Sequence, residues 1–245
     1  MSREFEVTRE VDLPAAPDDV WTAITSDTAA WQFPTGMEIP AGGGPPEGAP
    51  ITTWDPPHRL IIRTESPDGT FNSLDYAIEA RDGGTAHLRY VHSGILADEW
   101  EDQYDAIGAH TDFYLHTLGQ YLAHFNGRQV TYVGQPSAGI EGPEAAGGPD
   151  AMDTLRRALG VSADAGVGDA VSGASLGDAG TLDGVIDYAT PEFLGVRTAD
   201  GLYRFFGRNH FGGVVGMSAH LFVDGVDAAA QEAGLKAWLD EVYVG

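Results

Sequence analysis

The chain has 245 residues, enough for one large domain or two small ones, each able to bury a core of its own. It contains no cysteine, which excludes a disulfide framework and any thiolate metal site. A formal net charge of -24, spread over both halves, repels phosphate backbones and anionic lipids, so neither nucleic acid nor membrane is an expected partner.

Neither an apolar N-terminal leader nor a run of eighteen apolar residues appears, and a cytoplasmic location is the expectation. Residues 4 to 13 alternate, with Phe5, Val7, Val11 and Leu13 on one face and Glu4, Glu6, Thr8, Glu10 and Asp12 on the other, which predicts a half-buried strand. Arg9 interrupts the apolar face; its guanidinium either reaches the end of a sheet or anchors the inside of a pocket. Pro14 and Pro17 stop the strand. Val20, Trp21 and Ile24 then recur at helical spacing over 18 to 25, followed by a short helical turn over 29 to 31. Proline and glycine dominate 34 to 50, a loop with a short strand at 37 to 39.

From Ile51 the period returns to two. ITTW, LIIRT, FNSLDYAIEA and TAHLRYVHSG are separated by Asp55-Pro56-Pro57-His58, Ser66-Pro67-Asp68-Gly69 and Arg81-Asp82-Gly83-Gly84. Turns of this composition at such short intervals predict an antiparallel meander. Leu74, Tyr76 and Ile78 share one face of its third strand, and Leu88, Tyr90 and His92 one face of its fourth. Residues 97 to 125 are the longest stretch without proline. Trp100, Tyr104, Ile107, Thr111, Tyr114, Leu118, Leu122 and Phe125 fall on one helical stripe, opposite Glu99, Asp102, Asp105, Asp112 and Gln120. Acids crowd the first turns, where they suit the helix dipole, and Gly127 is placed to end the helix. Such a helix is about 42 Å long and needs a broad sheet under its stripe.

This order, with the phrases LPAAPDDVWTAIT, WDPPHRLI, GGTAHLRYVHSG and the helix end from Tyr114 to Phe125, resembles the START-like (SRPBCC) helix-grip superfamily over residues 3 to 127. Within it, the sequence is similar to the branch named for the activator of the heat-shock protein 90 ATPase, which borders the polyketide cyclase group. The resemblance implies an α+β fold in which a curved antiparallel sheet wraps on a long C-terminal helix. It also implies a deep cavity between the two, used across the superfamily for lipids, sterols, polyketides and other apolar molecules. Trp21 looks like the packing aromatic of the first helix, and Gly94 like the end of the last strand. No catalytic residues carry over, and a chaperone partnership would rest on the family name alone.

In the second half, 127 to 150 reads as a linker by composition, with a strand at 129 to 133. A helix over 151 to 159 and a glycine-rich stretch to Gly180 follow. Strands are expected at 184 to 188, 193 to 198, 202 to 206 and 214 to 222, and a last helix at 228 to 243 with Ala233, Lys236 or Ala237, Leu239 or Asp240, and Tyr243 inward and Trp238 beside them. The segment from Trp54 to Thr64 aligns with Tyr188 to Thr198, Pro57, Leu60, Arg63 and Thr64 meeting identical residues; Ala86-His87-Leu88 recurs as Ala219-His220-Leu221. The expectation is two tandem helix-grip units, 1 to 127 and a shorter, divergent 128 to 245. The rival is a C-terminal extension with a small α+β fold of its own.

The expected site is the concave space between sheet and helix, lined by Tyr76, Tyr90 and His92 from the sheet and Trp100, Tyr104 and Thr111 from the helix, with Trp31 and Trp54 at its mouth. No metal, cofactor or catalytic residue is assigned. The eight histidines include no HExxH spacing, no G-x-S-x-G elbow occurs, and Gly42 to Gly44 opens no helix. Two functional classes fit. The one adopted is non-catalytic binding of a small hydrophobic or aromatic molecule; the other is a cyclase- or hydrolase-like enzyme with His92 or His110 as general base and a tyrosine hydroxyl as acid. A His and Tyr within hydrogen-bond reach would favour the enzyme. The sequence leaves the oligomeric state open.

Overall fold

The computed structural model describes residues 3–40, 42–96 and 100–244; the side chains of residues 3, 96 and 100–103 lie outside that description. The chain divides into two compact units, Met1–Gly127 and Arg128–Gly245.

In the first unit, β1 (Arg3–Leu13) follows its alternation, with Val7 and Leu13 buried and Glu4, Glu6, Thr8, Glu10 and Asp12 exposed. α1 (Pro17–Thr25) starts with a proline where no intrahelical donor is lost, and carries Asp18 and Asp19 at the positive end of its dipole. It packs on the sheet through Val20, Ala23 and Ile24. The strand expected at 37 to 39 does not form. Ile39 instead donates its N–H to the Thr25 carbonyl at 2.8 Å, tying the loop to the end of α1. β2 (Ile51–Asp55), β3 (Arg59–Glu65), β4 (Phe71–Arg81) and β5 (Thr85–Leu96) form the meander, and β1 closes on β5, so the antiparallel order is β1-β5-β4-β3-β2.

α2 (Trp100–His124) runs alongside β1 in the same direction: Tyr104 reaches Glu6, Asp112 reaches Arg9, and Gly119 lies by Leu13. This is the helix-grip arrangement. At one end the layers close, with Leu13, Leu60, Ile78, Leu88, Leu118 and Leu122 all at most 4 % exposed. Each such side chain contributes about 1.5–3 kcal/mol. Phe113, Leu115, Thr117 and Tyr121 are buried as well, so the second half of α2 is enclosed on more sides than its predicted stripe. At the other end Phe5, Ile62, Leu74 and His92 of the inner sheet face are half-buried, as are residues 106–110 of α2, and Tyr104 is 37 % exposed.

The second unit contains β6 (Thr131–Val133), β7 (Ile140–Glu141), α3 (Ala151–Ala158), β8 (Ala170–Ser175), β9 (Thr181–Ala189), β10 (Phe193–Arg197), β11 (Gly201–Gly207), β12 (Val215–Leu221) and α4 (Ala228–Val244). The order is β6-β12-β11-β10-β9-β8, with β7 also on β12. β6 falls within the strand expected at 129 to 133, and the rest of the stretch read as a linker supplies a second strand, β7, whose two residues are too short to register as a period. α4 buries Leu239 of the expected stripe and Trp238 beside it, together with Gly234 and Leu235, while Ala233 and Ala237 are exposed and Lys236 pairs with Asp240 on the exposed side.

Both units run from a first strand through a helix and a meander to a closing helix, and both pair the first strand with the last. The internal match coincides with corresponding hairpins, β2–β3 and β9–β10. Leu60 and Leu194 are both buried, but the match slips by one residue on the leading strand: Trp54 lies opposite Leu60, whereas Tyr188 lies opposite Gly195. The rung through Leu60 continues to Tyr76, Tyr90 and Arg9, and that through Leu194 to Phe205, Met217 and Ile140. Ala86 stands four residues before Tyr90 and Ala219 two after Met217, so the Ala-His-Leu match does not join equivalent positions. Among the described residues no helix is long and apolar enough to cross a membrane.

Candidate functional site

The period of two puts Arg9, Tyr90 and Tyr76 on one rung of the inner sheet face, and Val7, His92 and Leu74 on the next. The first rung, which also carries the buried Leu60, borders the closed end of the first unit, and the second belongs to its half-exposed end. Tyr76 and Tyr90 lie ring against ring with centroids 5.0 Å apart and planes tilted by 56°, and burial pushes both phenols well above their usual range. Each therefore stays neutral at any physiological pH.

His92 hydrogen-bonds through Nε2 to Asn72 Oδ1 at 2.6 Å, and its ring meets Phe5 edge-on at 5.0 Å. Gly94 makes that contact possible, since a Cβ there would stand 2.7 Å from Phe5 Cε1 and 2.6 Å from the Phe71 carbonyl oxygen. Burial pulls the imidazole down to about 4, so the ring is neutral at pH 7. Arg9, whose role the sequence left open, grips Asp112 of α2 with two bonds, Nη2 to Oδ2 at 2.9 Å and Nε to Oδ1. The pair joins sheet to helix across the layer and cancels the guanidinium charge.

The other expected site residues are less uniform. Thr111 is buried beside Asp112, and Tyr104 donates its hydroxyl to the Glu6 carbonyl at 3.3 Å across the open end. Trp54 packs edge-on against Trp21 at 4.8 Å. Trp31 is not at a mouth: it is 3 % exposed and donates Nε1–H to the Ala23 carbonyl at 2.9 Å, bracing the turn after α1. The side chain of Trp100 lies outside the described residues. His110 turns its Nδ1 back to the Ala106 carbonyl of its own helix at 2.8 Å.

Sequence reasoning missed Asn72 and Asp112, because both are polar residues whose partners are distant in the chain. It also missed a buried ion pair in the second unit. Arg204 of β11 and Asp187 of β9, 1 % and 4 % exposed, form two bonds of 2.8 and 2.9 Å beside Gly195, where a Cβ would stand 2.2 Å from Asp187 Oδ1. An open groove of about 570 Å³ lies elsewhere, between Asp12, Leu13, Pro14, Arg81, Asp82 and Thr85 at the tip of the β4–β5 hairpin. Half of that lining is charged, which does not suit an apolar guest. Among the described residues no three His, Asp or Glu side chains converge as metal ligands.

No family model matches this chain, and no curated protein matches it by sequence. Solved structures do match at low similarity. The Aha1 dimer from Colwellia psychrerythraea is 17 % identical, with a TM-score of 0.37 over 48 % of this chain and 96 % of its own. DynU16, from the dynemicin biosynthetic locus, is 14 % identical, with a TM-score of 0.38 over 97 % of this chain and 95 % of its own. CalU16 from Micromonospora echinospora is 17 % identical, with a TM-score of 0.32 over 50 % and 87 %. At these values no ligand or reaction passes to this chain.

Proposed function

We propose that the first unit, residues 1 to 127, is a non-catalytic binding module that takes a small apolar or aromatic molecule between its sheet and the N-terminal half of α2. We read the second unit, residues 128 to 245, as a divergent copy of the same arrangement. The observation that carries the proposal is the contrast along one layer. The inner face is sealed by leucines at one end, while at the other a row of polar and aromatic side chains lies under a half-exposed stretch of helix. Apolar surface left half-covered beside a few fixed polar groups is what a small-molecule site requires.

Binding is favoured over catalysis by how the polar groups are spent. The Tyr76 and Tyr90 rings lie against each other and His92 bonds to Asn72; His92 and Tyr90 approach only ring to ring, at 6.4 Å between centroids. An imidazole pulled down to about 4 is also a weak general base near neutrality. The neutral dye Nile red tests the proposal in a fluorescence titration of the whole chain. One dye should bind per chain, and Leu74→Trp, which adds bulk at a half-buried inner position, should abolish the signal. No binding, or binding indifferent to Leu74→Trp, would overturn it.

A further inference from the structure

Resting on that reading, we infer that the guest of the first unit is a neutral molecule carrying a hydroxyl hydrogen-bond donor on an aromatic or conjugated body, a phenol or enol, whose O–H is received by Nδ1 of His92. Asn72 sets the tautomer of His92. Its Oδ1, which only accepts, faces Nε2 of His92 at 2.6 Å, so Nε2 carries the ring proton. Nδ1 of the neutral ring is then a lone-pair acceptor. Among the described residues the contacts of His92 are Asn72, the edge of Phe5 and the ring of Tyr90, and none of these donates to Nδ1. The ring lies on the inner face, half-buried, on the rung between Val7 and Leu74.

The surroundings decide the charge of the guest. Arg9 is committed to Asp112 by two bonds. Burial keeps the Tyr76 and Tyr90 hydroxyls protonated, and it keeps His92 uncharged at pH 7. An ionised guest would lose its hydration with no counter-charge to replace it, whereas a neutral hydroxyl exchanges one hydrogen bond for another. The walls decide the shape. Phe5 and Tyr90 flank the imidazole, and Leu74 and Ile62 continue the face across the sheet, which suits a flat apolar body.

Isothermal titration calorimetry on the whole chain at pH 7 tests this with four probes of one skeleton: 2-naphthol, 2-methoxynaphthalene, 2-acetylnaphthalene and 2-naphthoate. The donor, 2-naphthol, should bind roughly 3- to 10-fold more tightly than the methoxy and acetyl compounds, the difference one net hydrogen bond makes. The carboxylate should bind most weakly. His92→Phe should remove the preference by weakening 2-naphthol alone, and Asn72→Leu, at an exposed position, should reduce it by releasing the tautomer. Should His92→Phe fail to fold, Asn72→Leu carries the test. Equal affinities for 2-naphthol and 2-methoxynaphthalene, or a preference for the ketone or the carboxylate, would overturn the inference while leaving a binding site in place. If no probe binds, the binding proposal falls and this inference with it.

Discussion

The two sheets treat corresponding rungs in opposite ways. In the first unit the rung through Leu60 carries two tyrosines and an arginine on its inner face, and in the second the rung through Leu194 carries Phe205, Met217 and Ile140. The second rung joins a continuous apolar core with Leu155, Leu235 and Leu239, where Phe205 meets Trp238 at 6.4 Å. Its charged pair, Asp187 and Arg204, is held apart from that core: Arg204 lies between Tyr203 and Phe205 in sequence, and so on the opposite face of β11. One rung is thus wholly apolar beneath α3 and α4, and the other carries polar groups on its inner face.

The largest effect that would test this comparison is at the ion pair. Arg204→Met alone leaves a buried carboxylate without its partner and should cost about 3–5 kcal/mol in chemical denaturation, while adding Asp187→Leu should recover most of that loss. A double variant no better than the single would show that the pair does more than neutralise itself. The next effect sharpens the contrast between rungs. Phe205→Tyr buries a hydroxyl in an apolar core and should cost about 1–3 kcal/mol, whereas Tyr76→Phe, which takes a buried hydroxyl away rather than adding one, should cost about 1 kcal/mol or less. Equal losses would mean that the two inner faces do not differ as described.

Acid gives a smaller, directional effect. In the unfolded chain the His92 imidazole takes up a proton near pH 6.5, but in the folded chain only near 4. As pH falls the unfolded state therefore binds the proton first, so this contribution to stability is complete above about 6.5 and is lost progressively down to about 4. Comparing wild type with His92→Phe over that range isolates it from the carboxylates. The wild type should lose about 1–2 kcal/mol more than the variant, allowing for solvent reaching a half-buried ring.

Most of the first unit was legible in its sequence for a physical reason: long strands and a long helix repeat their period enough times to be read. The alternation of Phe5, Val7, Val11 and Leu13 and the turns at Pro56-Pro57 and Asp82-Gly83 state the meander directly. β7 and β8 were not legible, because two residues make no period and the six residues of β8 include Gly173 in a glycine-rich run. In the candidate site, the shared inner face of Tyr76, Tyr90 and His92 was readable from the alternation alone. The polar partners were not: Asp112 is 103 residues from Arg9, and only the register of β1 on β5 together with the course of α2 brings them into contact. Trp31 was misplaced because an indole in a loop looks like a lid until its N–H is seen to be used inside.

Side-chain NMR of the whole chain, titrated with 2-naphthol, tests the central claim most directly. Resonances of Leu74, Tyr76, Tyr90, His92 and Thr111 should shift with saturation, while those of Leu194, Phe205 and Met217 stay in place. Shifts confined to the second set, or none in either, would contradict the assignment of a guest site to the first unit and a sealed core to the second.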